Sequence, residues 1–247
     1  MTKRPVIKDL SVPSSKGQIK GRLYLHDKKQ KNPLIILAHG LGDSMESVEG
    51  YAQTFFENGY DTYLFNFIGG SMLNDMTKMS IFTEKDDLNV VVDYFSNKKR
   101  KLILFGASQG GVVASLVASL RNDITALILL YPAFVMKDEM QRLFANQKLP
   151  KTFDFAGMCL GKVYVEKLSK YDLWGNSTKF KGPTLIVHGT ADQTVPIRYS
   201  IEAVRKFTKA RLVEVTHAGH DFYGRDQMKV SEEILRFLES VKGISER

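Results

Sequence analysis

The sequence predicts an α/β fold: a mostly parallel central sheet flanked by helices, with one inserted cap. Three observations carry that prediction. From Leu34 onward, short continuous apolar runs alternate with longer amphipathic stretches, as buried parallel strands joined by crossover helices require. A length of 247 residues suits one large α/β domain. The alternation fails only between Ala133 and Gly182, where aromatic, charged and methionine residues mix without a strand-helix rhythm, and so long a connection usually forms a lid. The expected organisation is an α/β core of residues 1–132 and 183–247, with residues 133–182 as the cap.

The elements follow in order. Val6 to Val12 and Gln18 to Leu25 are extended segments separated by Ser14, Ser15, Lys16 and Gly17, which reads as a hairpin at an antiparallel edge. Parallel strands are expected at Leu34 to Ala38, Thr62 to Phe67, Leu102 to Phe105, Ala126 to Leu130, Thr184 to Val187 and Leu212 to Val215. Each is rich in the branched and aromatic side chains that burial on two faces demands. Helices are expected at Val48 to Asn58, Glu84 to Phe95, Gln109 to Leu120, Arg198 to Phe207 and Gln227 to Val241.

Composition narrows the function classes. Apolar residues at 43% and charged residues at 25% match a globular protein, and no apolar run approaches the roughly 18 residues of a membrane span. Met1 to Val12 carries Lys3, Arg4, Lys8 and Asp9 with no apolar stretch before a small-residue cleavage site, so the expected compartment is the cytoplasm. The single cysteine, Cys159, cannot close an internal disulfide, which fits a reducing compartment. A net charge of +8 raises the question of nucleic acid or an anionic membrane. The densest basic runs, Lys28, Lys29, Lys31 and then Lys98, Lys99, Arg100, Lys101, each precede an apolar strand, where solvated loop charges are expected. Neither nucleic acid nor membrane is therefore an expected partner, and a homodimer is left open.

Gly106-Ala107-Ser108-Gln109-Gly110 follows the strand at Leu102 to Phe105 and opens a small-residue helix, the setting a Gly-x-Ser-x-Gly elbow needs. A serine in a strained turn between strand and helix requires small residues two positions to either side, so that the backbones can pass. The helix that follows points free N–H groups at the site, where negative charge would develop. His39-Gly40-Leu41-Gly42 follows the first parallel strand and is expected to give one backbone oxyanion donor, from Leu41, with Gln109 giving the other. Each such donor contributes roughly 2.7–4 kcal/mol to a tetrahedral intermediate. Asp192, in the loop after Thr184 to Val187, and His220, after the last strand, complete the chain order Ser, Asp, His. Two alternatives stay open: Asp192 as a turn aspartate, and His217 in place of His220 as the base. His39 and His188 read as structural. With one cysteine, no His-Glu-x-x-His pattern and no phosphate loop at Gly69, Gly70 and Ser71, neither a metal nor another cofactor is expected.

These motifs, with Gly111-Val112-Val113-Ala114-Ser115 and His188-Gly189-Thr190-Ala191-Asp192, resemble the α/β-hydrolase superfamily. Within it the chain is similar to the bacterial cinnamoyl (feruloyl) esterases, from about Leu34 to the carboxyl end. That resemblance implies an inserted subdomain whose acidic and tyrosine side chains hold the phenolic end of a hydroxycinnamoyl group, and Asp138 and Tyr164 are the matching positions here. Relatives often carry Phe-Asp-Phe before a Gly-x-Gly-x-Ser turn. This chain has Phe65-Asn66-Phe67-Ile68-Gly69-Gly70-Ser71, which puts that loop's hydrogen bonds in question. Met136, Met140, Phe144, Phe153, Phe155 and Met158 would line an acyl or aryl pocket, or else form the cap's own core.

The expected function is that of a serine carboxylesterase acting on a small-molecule ester of small to medium size, of the hydroxycinnamoyl (feruloyl) type, through an acyl-enzyme. A monoacylglycerol-type lipase or an acyl-peptide hydrolase stays open, because one scaffold hosts many chemistries. So does a non-catalytic ligand-binding scaffold, which the loss of a triad member would mark.

Overall fold

The computed structural model of the protein describes residues 6–26, 32–96 and 100–241. The basic positions Lys28, Lys29, Lys31, Lys98 and Lys99 lie outside these residues. The strands are β1 (Val6–Ser14), β2 (Gly17–Leu25), β3 (Leu34–Ala38), β4 (Asp61–Phe65), β5 (Leu102–Ala107) and β6 (Ile124–Leu130), then the short pair β7 (Thr152–Phe155) and β8 (Met158–Gly161), then β9 (Thr184–Gly189) and β10 (Ala210–Val215). The helices are α1 (Glu49–Glu57), α2 (Ile81–Ser96), α3 (Gln109–Ala118), α4 (Met136–Leu143), α5 (Val163–Glu166), α6 (Leu173–Ser177), α7 (Arg198–Lys206) and α8 (Arg225–Ser240).

The main sheet runs β1-β2-β4-β3-β5-β6-β9-β10. β1 and β2 pair antiparallel, β2 joins β4 antiparallel, and every later pairing is parallel. The apolar runs are continuous because both faces are covered. Leu34, Ile36 and Ala38 of β3 enter one core with side chains of α2, α3 and α7, while Ile35 and Leu37 enter the other with α1 and α8. β5, the strand that ends at Ser108, lies centrally between β3 and β6, so the turns after β3, β5 and β6 open side by side at the carboxyl edge of the sheet.

Three local expectations are corrected. β10 is the outer edge of the sheet and is partly exposed along its length, because only β9 covers one side of it. α2 starts at Ile81, three residues before the expected Glu84. Its start is fixed by Ser80 and Thr83, which exchange bonds between the Ser80 N–H and Thr83 Oγ1 (2.9 Å) and between the Thr83 N–H and Ser80 Oγ (3.3 Å). Arg100 is no solvated loop charge: its side chain is fully buried and its Nη2 lies 2.6 Å from Asp61 Oδ2.

Between β6 and β9 the chain makes α4, the β7-β8 antiparallel ribbon, α5 and α6. Met136, Met140, Leu160, Tyr164, Leu168 and Leu173 from this stretch join the same core as α2 and α3. This segment thus packs on the body of the fold over the turn that follows β5.

Candidate active site

Ser108 stands at the β5-α3 turn with φ 52° and ψ −120°, a conformation that L-residues adopt only when their surroundings impose it. The imposition is steric and hydrogen-bonded. A side chain at Gly106 would run into the Gly110 carbonyl, and one at Gly110 into the carbonyls of Ala38 and His39. The Ser108 N–H donates to Leu130 O at 2.9 Å, and its carbonyl accepts from the N–H groups of Gly111 and Ala133, both at 3.0 Å. α3 is buried along its whole length, so the turn cannot relax by moving the helix.

With the proton on Nδ1, His220 donates to Asp192 Oδ2 at 2.7 Å, and Ser108 Oγ donates to His220 Nε2 at 3.0 Å. The other carboxylate oxygen, Asp192 Oδ1, accepts from the N–H groups of Thr194 (2.9 Å) and Val195 (2.8 Å). Burial pushes the Asp192 carboxyl up, but hydrogen bonds from His188, His220 and the Val195 N–H outweigh it and hold the group well below the usual carboxylate range. The alternative of a plain turn aspartate is thus only half of its role, since one oxygen closes the turn and the other meets the histidine. His217 is exposed, and its N–H donates to Thr190 Oγ1.

The loop after β3 faces this elbow. A Cβ on Gly40 would lie 3.3 Å from Ser108 Cβ, a tight contact, so the glycine lets the loop lie close against the serine. Among the described residues, neither the Leu41 N–H nor the Gln109 N–H donates to a protein acceptor. His39 is fully buried, bonds Gly40 O through Nδ1 at 2.8 Å and accepts the Phe67 N–H at Nε2. Burial pushes its pKa down to about 4, so it is a neutral brace. Asn66, the departure from the Phe-Asp-Phe pattern, accepts the Met45 N–H at 2.7 Å, a bond an aspartate would also make.

A cavity of about 610 Å³ opens over Ser108 and His220. A family model described as serine aminopeptidase, S33, matches residues 29–172, more than half of the chain. The chain belongs to this hydrolase family. A second model, described as TAP-like protein, matches residues 164–243. A Mycoplasma pneumoniae protein provisionally named as esterase/lipase 2 is 26% identical, over 93% of this chain and 97% of its own. Among solved structures, Est1E from Butyrivibrio proteoclasticus with ferulic acid bound has TM-score 0.82 and 25% identity, covering 94% of this chain and 98% of its own. A dienelactone hydrolase from Anabaena variabilis has TM-score 0.71 at 18% identity, covering 96% and 98%, which speaks to the fold alone. The fold is that of the α/β-hydrolases.

In this hydrolase the segment between β6 and β9 supplies one wall of the cavity. Met136, Phe155 and Met158 line it, whereas Met140 is core and Phe144 packs edge-on against Phe153, 4.9 Å between ring centroids. Tyr164 reaches the wall, but it is only 2% exposed and its hydroxyl donates to Gln109 Oε1 at 2.6 Å. Asp138 is not at the cavity: its carboxylate accepts the Tyr199 hydroxyl at 2.6 Å, on the far side of α4. Its neighbour Glu139 lines the cavity instead. The reason is helical geometry, since Met136 and Glu139 are three residues apart and share a face that Asp138 leaves by about 100°.

Four further contributors escaped the sequence reading. Glu139 is one, its carboxyl pushed up by burial. Tyr131, with φ 36°, packs its ring 4.5 Å from that of His220. His188 is the interior histidine expected, held by Ser200 Oγ and Val195 O, yet its Nε2 also stands 3.1 Å from Asp192 Oδ2. Glu84 is fully enclosed behind Gln109. Of these only Glu84 left a signal in the sequence, an acid on the apolar stripe Ile81, Leu88, Val91, Val92 and Phe95.

Proposed function

We propose that the protein is a serine carboxylesterase acting through a Ser108-His220-Asp192 triad, with the Leu41 and Gln109 N–H groups as the oxyanion hole. The single observation that carries this reading is the unbroken hydrogen-bonded series from Ser108 Oγ through His220 to Asp192, set at the mouth of the cavity. His220 takes the proton as Ser108 Oγ attacks the ester carbonyl, and Asp192 steadies the imidazolium. The oxyanion receives the two backbone donors, and His220 returns the proton to the departing alcohol. Water, deprotonated by His220, then attacks the acyl-enzyme, and release of the acid restores Ser108.

The substrate we propose is a hydroxycinnamoyl (feruloyl-type) ester. Its aryl group would lie under residues 133–182, which act as a cap, against Met136, Phe155 and Met158. Glu139, rather than Asp138, would accept the phenolic hydroxyl. The likeness to Est1E with ferulic acid bound supports this, as does the lining of the cavity: its charged residues are Asp43, Glu139 and Asp221, with no lysine or arginine among the described residues. Such a lining favours neutral esters over anionic ones.

The family description favours one second reading, release of an amino-terminal residue from a peptide. The test compares 4-nitrophenyl butyrate, methyl ferulate and leucine 4-nitroanilide as substrates for the purified protein and its Ser108→Ala variant, both checked for folding by circular dichroism. The expected result is cleavage of both esters by the wild type and of neither by the variant. Faster turnover of the anilide moves the reading to a peptidase, and a folded wild type that cleaves nothing overturns the hydrolytic reading.

A further inference from the structure

Glu84 plays no part in the acyl transfer above, yet it bonds the Gln109 side chain and lies against Gly70, whose loop is hydrogen-bonded to the Leu41 turn. Its Oε2 accepts from Gln109 Nε2 at 2.8 Å, and Gln109 Oε1 in turn accepts from the Tyr164 hydroxyl at 2.6 Å. The side chain that follows Ser108 is thereby clamped between α2 and the insertion. The second oxygen, Oε1, has no hydrogen-bond partner and stands against Gly70, where an added Cβ would come within 2.9 Å of it. The carbonyl of Gly70 accepts the Gly42 N–H at 3.0 Å, and Met72 N–H returns a bond to Gly42 O at 2.9 Å, so this second loop carries the Leu41 turn.

The groups facing Glu84 are few. Asp87 lies one turn along α2 and is met by Lys16 Nζ at 3.4 Å, Tyr164 approaches from α5, Gln109 from α3, and Met79 Sδ lies 3.7 Å from the Gln109 amide. Among the described residues no cation pairs with the Glu84 carboxyl itself. An ionised carboxylate with one unpartnered oxygen is far costlier to bury than the neutral acid. Burial pushes this carboxyl up to about 8, against the pull of the Gln109 hydrogen bond and with a smaller push from Asp87.

We propose that Glu84 is a positioning residue that works as a neutral acid, bracing Gln109 and the Gly70 loop so that the N–H groups of Gln109 and Leu41 converge on one oxyanion. Its ionisation sets a negative charge behind the hole, where it opposes the charge forming on the substrate oxygen. Tyr164 completes the brace from the insertion, a role distinct from holding substrate. This inference rests on the ester-hydrolysing reading above.

The test follows hydrolysis of methyl butyrate by acid release between pH 6 and pH 10, for the wild type, Glu84→Gln and Tyr164→Phe. Wild-type kcat is expected to fall above about pH 8. Glu84→Gln, neutral at every pH, is expected to stay within a few-fold of the wild type at pH 7 and to keep its rate through the range where the wild type declines. Tyr164→Phe is expected to lower kcat about tenfold with little change in KM, less than the roughly hundredfold or greater loss on removing an oxyanion donor. An alkaline fall in Glu84→Gln that matches the wild type overturns the proposal. Should that variant fail to fold, an unchanged kcat in Tyr164→Phe overturns it instead. A wild type inactive at pH 7 overturns the esterase reading, and this one with it.

Discussion

The two walls of the cavity place their polar groups by different physics. On the sheet side, Ser108, Asp192 and His220 each occupy a turn directly after a strand, and backbone constraints aim them: the glycine contacts at Gly40, Gly106 and Gly110, and the N–H groups that clasp Asp192. On the side of the segment between β6 and β9, Glu139 and Tyr164 ride on short helices whose orientation depends on packing against α2, α3 and α7. Backbone constraints leave motifs with fixed spacing, and packing leaves none. One residue along α4 separates a carboxylate in the cavity from one bonded to Tyr199.

That contrast is open to attack from either side. The largest expected effect is on the sheet side. Asp192→Asn keeps the two turn bonds to Oδ1 but leaves His220 Nδ1–H facing an amide, and kcat is expected to fall by about 10⁴ with KM little changed. Steady-state kinetics on 4-nitrophenyl butyrate measures this, and a fall of only a few-fold would show that the carboxylate serves the turn alone. On the opposite wall the expected effects are smaller and fall on binding. Glu139→Gln is expected to raise KM for methyl ferulate about fivefold, in line with one weakened hydrogen bond, and to leave butyrate hydrolysis unchanged. Asp138→Asn is expected to change KM for neither ester beyond about twofold, since its partner is Tyr199. The reverse ranking of the two variants would return the aryl site to the residue the family resemblance selected.

The positions and mainly parallel character of the central strands were legible because burial on two faces writes itself as unbroken apolar runs such as Leu34–Ala38. The elbow was legible because close backbone approach admits only glycine at 106 and 110. Glu84 was missed for a definable reason. A helix begun at Glu84 makes that residue an ordinary first-turn acid, whereas the helix begun at Ile81, capped by Ser80 and Thr83, carries it onto the buried stripe. The second contact of His188, to Asp192, had no signature in the sequence, because it depends on how the 190–195 turn folds back over its own strand. Tyr164 was identified as a site residue, but its partner Gln109 lies 55 positions away, beyond any local pattern.

The central claim is that Ser108 is the nucleophile, and covalent trapping tests it most directly. The protein is treated with a fluorophosphonate, digested and analysed by mass spectrometry, alongside Ser108→Ala and His220→Ala variants confirmed as folded. The account predicts one phosphonylated residue, Ser108, in the wild type, no adduct in Ser108→Ala, and labelling slowed by several orders of magnitude in His220→Ala, because the serine then lacks its base. An adduct on another residue, or a folded and ester-hydrolysing protein that takes no label at Ser108, would contradict it.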